Sequence, residues 1–433
     1  MTADSLFSWL ATGIPLIGAV ASLVFWEDLR RLKGSCLLWC ALSLAPVAGI
    51  NAIMPEGPLP LYLLPVSAAI SLLGQPAHKS HRFAWLMSLI YLGLGLGVIS
   101  HPAPVSHVFL LALLVTTAGL LLGHRTMLWP VSWWGISLFG LAGLGAILSV
   151  FANPAFSSSA ALLTCTVLLP LAPFHTGYVT ALTRLPGNLP SFAAILLPSV
   201  GLHMMASVIS TASILAASTL GFLGLAGALY GAIKALAQTR VRLMLAYGSL
   251  SFFCMLWWFV ATSHAVTLHV TILVASLGLA TCGLLIAWQV IRTRYGDDVD
   301  PLSISGLASS MPTYAVLVSL LALAAMGLPP FGVFAGFTGL LLSSPIPSLL
   351  GLLIVLAAWL AASWYILNAV QSFLFGTERS DLRYHDVVHS ESIALLLTIL
   401  ALVVLGLTPS DWFGSNANSA AVDTPSQGLT WLH

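Results

Sequence analysis

Apolar runs of about twenty residues recur along the whole chain, and that repetition constrains the fold more than any other feature, because one such run crosses a hydrocarbon core as a helix. Clear examples occupy residues 82–100, 106–123, 265–291 and 390–408. Only 6% of the 433 residues are charged, against roughly a quarter in a soluble domain. The expected fold is therefore an all-α integral membrane protein with about fourteen transmembrane helices. The expected spans lie near 5–26, 35–54, 59–74, 82–100, 106–123, 126–151, 159–184, 189–211, 214–237, 243–262, 265–291, 311–343, 347–375 and 390–408. Little chain is left for a soluble domain, so residues 1–433 read as one polytopic unit. A formal net charge of +1 offers no basic field for nucleic acid.

The basic residues give an independent check on these spans. Arg30, Arg31, Lys33, Lys79, Arg82, Arg125, Arg184, Lys234, Arg240, Arg242, Arg292, Arg294, Arg379 and Arg383 are all the Lys and Arg of the chain. Each falls in or beside a connection from an odd to an even span. The positive-inside rule makes those connections cytoplasmic and puts both termini on the opposite side. Asp411 and Asp423 in the tail agree with that, and the expected location is the plasma (inner) membrane. The N-terminus carries Asp4 but no basic residue ahead of the first run, so that run is expected to remain in the mature protein.

Cys36, Cys40, Cys165, Cys254 and Cys282 sit inside apolar runs without ligand spacing, which reads as burial of small residues, not a metal site. No phosphate loop, zinc spacing or nucleophile set is apparent. No cofactor, metal or catalytic residue is expected within the chain.

Two spans are interrupted. Pro170 and Pro173 break the seventh, and Pro329 and Pro330 in Gly327-Leu328-Pro329-Pro330-Phe331-Gly332 break the twelfth. Proline removes a backbone donor and clashes one turn back. Unpaired backbone at membrane depth is tolerated only where protein or a wet cavity covers it, so both breaks are site candidates. They lie an odd number of spans apart and so run in opposite directions. That predicts inverted five-helix repeats, one over about 82–211 and one over about 214–375. Helices 1–4 (5–100) would be partly peripheral, with 390–408 as last helix and 409–433 as tail.

Three segments carry a family resemblance. Pro170-Leu171-Ala172-Pro173-Phe174-His175-Thr176 is similar to the Pro-x-x-Pro-Leu/Phe-His signature of the antiporter-like, proton-conducting subunits of NADH:quinone oxidoreductase (complex I), membrane-bound hydrogenases and multisubunit sodium/proton antiporters. Gln238-Thr239-Arg240-Val241-Arg242-Leu243-Met244-Leu245-Ala246-Tyr247-Gly248-Ser249 resembles a second motif of that family, and Gly327-Leu328-Pro329-Pro330-Phe331 with Gly336-Phe337 a third. They occur in the family's order and spacing. The resemblance implies a subunit without redox centres that moves protons along a midplane row of Glu and Lys.

This chain departs from that pattern. Leu168 occupies the span-seven Lys position, Ser199 about the span-eight one, Trp133-Trp134 the Glu region, Ile272 to Ser276 the span-eleven region, and Gly339-Leu340 the span-twelve one. Arg240 also stands where the family has Asp. A charge at mid-bilayer costs about 2.5–3.5 kcal/mol, so a chain that retains such charges uses them. Here no span carries one at its middle.

Histidine is then the titratable group left at depth. His203 lies about fourteen residues into span eight, near the midplane, as a proton relay or as a neutral core histidine bonded to a carbonyl. His175, beside the first break, either carries protons or caps freed carbonyls. His269, one turn into span eleven, reads as interfacial. Lys234 either snorkels to the cytoplasm or ends a half-channel, with Gln238, Tyr247 and Ser249 able to hold water near it.

The sequence thus predicts a membrane-arm subunit of an ion-translocating complex. It would couple proton or monovalent-cation movement to chemistry in other membrane and peripheral subunits, with quinone reached only through those partners. Three alternatives stay open: a non-conducting scaffold, the membrane subunit of an inorganic-carbon uptake system, and an independent secondary transporter.

Overall fold

In the computed structural model, which describes residues 3–53, 59–123, 133–295, 305–343, 348–375 and 385–407, every regular element among the described residues is helical. The first part of the chain forms α1 (Ala3–Ser22), α2 (Leu29–Leu42), α3 (Leu44–Ile53), α4 (Pro60–Leu73), α5 (Arg82–Ser100), α6 (Val105–Gly123) and α7 (Trp133–Phe151). Then come α8 (Pro154–Leu168), α9 (Thr176–Arg184), α10 (Leu189–Ala206), α11 (Ile214–Leu236), α12 (Val241–Ser263) and α13 (Leu268–Tyr295). The last are α14 (Leu307–Ser310), α15 (Pro312–Ala325), α16 (Gly332–Ser343), α17 (Leu349–Leu374) and α18 (His389–Leu407). Among the described residues, eleven helical segments are long and apolar enough to cross a membrane. Arg125, Arg379, Arg383, Asp411 and Asp423 lie outside the described residues.

Local chemistry sets the ends of these helices. Asp28 accepts the Arg30 and Arg31 backbone N–H groups and starts α2 six residues before the expected span. Ser213 caps α11 and Ser348 caps α17 in the same manner. At the other end of α12, His264 adopts φ 52° and stops the helix. The expected span at 189–211 is helical only to Ala206, after which a short 3-10 turn over Ile209–Thr211 follows.

The interior is built from α5, α10, α12 and α13, whose spanning windows are mostly buried, while α1, α6, α7, α11, α17 and α18 turn wide apolar faces outward. An outward apolar face suits hydrocarbon as the solvent. Between helices in lipid, close packing replaces the hydrophobic effect, and small residues permit it. α11 and α12 show this: a Cβ on Gly224 would come within 2.8 Å of the Cys254 carbonyl, and one on Gly231 within 2.8 Å of the Ser251 nitrogen.

The basic connections gather at one end of the bundle. Lys33 Nζ donates to the Leu73 and Gln75 carbonyls at the end of α4. Arg82 reaches the Glu27 carbonyl, and Arg242 the Thr183 carbonyl and Gln289 side chain. Arg294 binds the His385 and Asp386 carbonyls and pairs with Glu391. The connections without basic residues meet at the opposite end, where His101 stacks on Trp9 and His107 contacts Ser149.

Candidate functional site

The expected breaks are present as gaps between helices. α8 stops at Leu168 and α9 starts at Thr176, with Pro170 and Pro173 between them; α15 stops at Ala325 and α16 starts at Gly332, with Pro329 and Pro330 between. In the first gap, the Leu169 carbonyl accepts from the Trp257 indole at 3.1 Å and the Pro170 carbonyl from the Cys254 thiol at 3.8 Å. In the second, Gly327 takes φ +74°, open to a residue without a Cβ, and the Met326 carbonyl accepts from the Trp359 indole at 2.9 Å. The second gap contains Met326 to Phe331 and no titratable side chain.

His175 occupies the N-cap position of α9 but makes no capping bond with its side chain. It is 6% exposed, and neither ring nitrogen makes a hydrogen bond to a described residue, although the Pro173 carbonyl neighbours the ring. Thr176 Oγ1, next in the chain, is likewise buried and unpartnered. Buried polar atoms are nearly always satisfied by protein or water, so an ordered water is the expected partner of these atoms.

Around His175 the chain assembles an aromatic and basic cluster. The Tyr230 ring lies edge-on at 5.3 Å and the Tyr247 ring at 6.0 Å, and the two tyrosines are 6.2 Å apart. Lys234 Nζ stands 5.9 Å from the Tyr230 ring centroid, a cation–π distance. Tyr230 and Lys234 are four residues apart on α11 and so share one face. Lys234 is in the last turn of α11, whereas His175 lies about 13 Å deeper than the end of α9 at 1.5 Å per residue. The cluster thus runs from the basic end of the bundle to the break. Tyr178 on α9 contacts Ser249 on α12 at 3.3 Å.

The other two histidines stay apart from it. His203 falls in the last turn of α10, which runs from Leu189 to Ala206. His269 lies in the first turn of α13 against Gly339 of α16, with Nδ1 buried and unpartnered. The structure therefore joins His175 to Lys234 and leaves His203 and His269 outside. Tyr230, Trp257 and Trp359 are members of these sites that the sequence reading passed over. For Tyr230 the signal was its four-residue spacing from Lys234.

The fold and the site define a polytopic helical membrane protein with a buried histidine at a proline-broken helix. Residues 150–363 match the family described as NADH:quinone oxidoreductase/Mrp antiporter, TM. NADH-quinone oxidoreductase subunit N 1 of Aquifex aeolicus is 28% identical over 188 residues, covering 42% of this chain and 39% of that protein. F(420)H(2) dehydrogenase subunit M of Methanosarcina mazei is 33% identical over 199 residues, 44% of this chain and 39% of that protein. The chain therefore matches well under half the length of each of these relatives. A chain in respiratory complex I from Thermus thermophilus superposes with a TM-score of 0.79 at 20% identity, covering 94% of this chain and 96% of that one. At that identity the likeness establishes the fold.

Proposed function

We propose that this chain is a membrane-arm subunit of a multisubunit complex and translocates protons through the first helix break. The reading rests on one observation: His175 is buried at the break with both ring nitrogens unpartnered, and Tyr230, Tyr247 and Lys234 connect it to the basic end of the bundle. A histidine with two unengaged nitrogens can accept a proton at one and release it from the other, which is what a relay requires. Lys234 serves as the entry cation and the tyrosine hydroxyls order water between it and the ring.

The same proposal includes fourteen crossings, with α8–α9 and α15–α16 as the broken seventh and twelfth, in inverted repeats over 82–211 and 214–375. The basic end faces the cytoplasm and both termini the other side. Support comes from the contacts that gather the basic connections at one end and from the positive-inside rule. Other membrane and peripheral subunits, with quinone reached through them, complete the complex.

A second reading is a scaffold that kept the fold and lost conduction. It is favoured by the neutral side chains at the positions where the family resemblance expects midplane lysines, since Leu168 and Ser199 are buried and uncharged. Proton uptake by vesicles holding the whole complex separates the two. His175→Leu is expected to lower uptake by about a hundredfold or more, the contribution of one acid–base group, at normal assembly, while His203→Leu leaves it unchanged. Equal, undiminished uptake in both variants favours the scaffold.

A further inference from the structure

The two breaks share a device that the proton path does not use. At each, a carbonyl beside the gap accepts an indole N–H from a neighbouring helix, Leu169 from Trp257 of α12 and Met326 from Trp359 of α17. A freed carbonyl at membrane depth is costly unless it finds a donor. Indole is donor only and carries no charge, so it satisfies the carbonyl without placing an ion in the bilayer.

The two caps are also connected. The Phe252 ring of α12 meets the Trp359 ring edge-on at 6.1 Å. Phe337 of α16, shortly after the second break, contacts Trp359 and lies 6.3 Å from Phe259 of α12. Phe252 and Phe259 are seven residues apart and share a face of α12, whereas Trp257 projects about 140° round the helix from Phe252, at 3.6 residues per turn. One side of α12 therefore abuts the aromatic cluster of the second break and another side caps the first. Close-packed interiors transmit displacement instead of absorbing it.

We propose that Trp257 and Trp359 are positioning residues that hold the two broken helices in register, and that α12 couples a change at one break to the other. This coupling is mechanical and needs no charged row. It is independent of whether His175 carries protons.

The test is amide hydrogen exchange on the full chain in lipid nanodiscs. Reporters for the second break are the Gly327 and Leu328 amides, bonded to the Ala324 and Leu323 carbonyls; for the first, the Leu169 and Leu171 amides, bonded to the Cys165 and Thr166 carbonyls. Trp359→Phe keeps an aromatic ring and removes the pyrrole half of the indole with its N–H. It is expected to quicken exchange at the second break roughly tenfold, the effect of one lost buried hydrogen bond, and also to quicken exchange at the first. Adding Phe252→Leu should abolish the distant effect and leave the local one. Should Trp359→Phe not insert, Trp257→Phe gives the reverse experiment with the readouts exchanged. Quickening confined to the mutated break overturns the coupling, and unchanged exchange at both breaks overturns the capping role.

Discussion

Arg294 in the last turn of α13 and Glu391 in the first turn of α18 pair at 2.8 Å, with only 12% and 4% of their side chains exposed. Arg294 also donates to the Val290, His385 and Asp386 carbonyls, and Glu391 accepts the Val388 N–H. The pair fixes the start of α18 to the end of α13. Removing one partner of such a pair leaves a buried charge, at a cost of about 3–5 kcal/mol. Glu391→Ala is therefore expected to lower the melting temperature of the purified chain far more than Asp28→Ala, whose partner Arg31 is exposed. A thermal melt in detergent checks it.

The same corner makes an acid-sensitive contact. Asp386 accepts the Thr313 N–H at 2.8 Å, the Tyr314 N–H at 3.2 Å and the Val387 N–H at 2.7 Å, and so caps α15 from a distant connection. Partial burial pushes its carboxyl up, but these hydrogen bonds outweigh that and hold it below the ordinary value of 3.8. With the folded value depressed, the stabilisation is complete above the ordinary value and is lost as pH falls through the folded one. Asp386→Asn should flatten the acid limb of stability against pH, and melts taken at falling pH measure it.

Tyr230 is 38% exposed on the flank of α11 and bridges His175 and Lys234. If its hydroxyl orders water in the path, Tyr230→Phe slows proton uptake by roughly threefold, the effect of one modest hydrogen bond, with the ring contacts intact. Tyr91→Phe, which removes a buried hydroxyl bonded to Thr117 outside the cluster, leaves uptake unchanged. Stopped-flow uptake in vesicles distinguishes them.

Gly231 lies against the α12 backbone, where a Cβ would fall 2.9 Å from the Ser251 Cα. Gly231→Val should part α11 from α12 and cut the yield of folded protein by several-fold, since overpacking costs about 1–3 kcal/mol. Gly13→Val, where nothing lies within 4 Å, should not. Size-exclusion profiles of the two variants decide it.

Spans and breaks were legible because each leaves a local mark: apolar length for the first, paired prolines for the second. Helix ends were less so. The apolar run through Ile209 hides that α10 stops at Ala206, which puts His203 in the last turn of that helix. His175 and Lys234 could be named from a motif and a charge, but their connection through Tyr230 depends on how α9, α11 and α12 meet. Trp257 and Trp359 read as two more apolar residues. Only the tertiary fold shows which carbonyls their indoles reach.

Translocation through the first break requires a polar path that enters from the basic end and reaches His175. A map of the assembled complex at a resolution that shows ordered water tests it most directly. Waters joining Lys234, the Tyr230 and Tyr247 hydroxyls and the two ring nitrogens of His175 are expected. A dry, closed contact between α9, α11 and α12 with no water at His175 would contradict it.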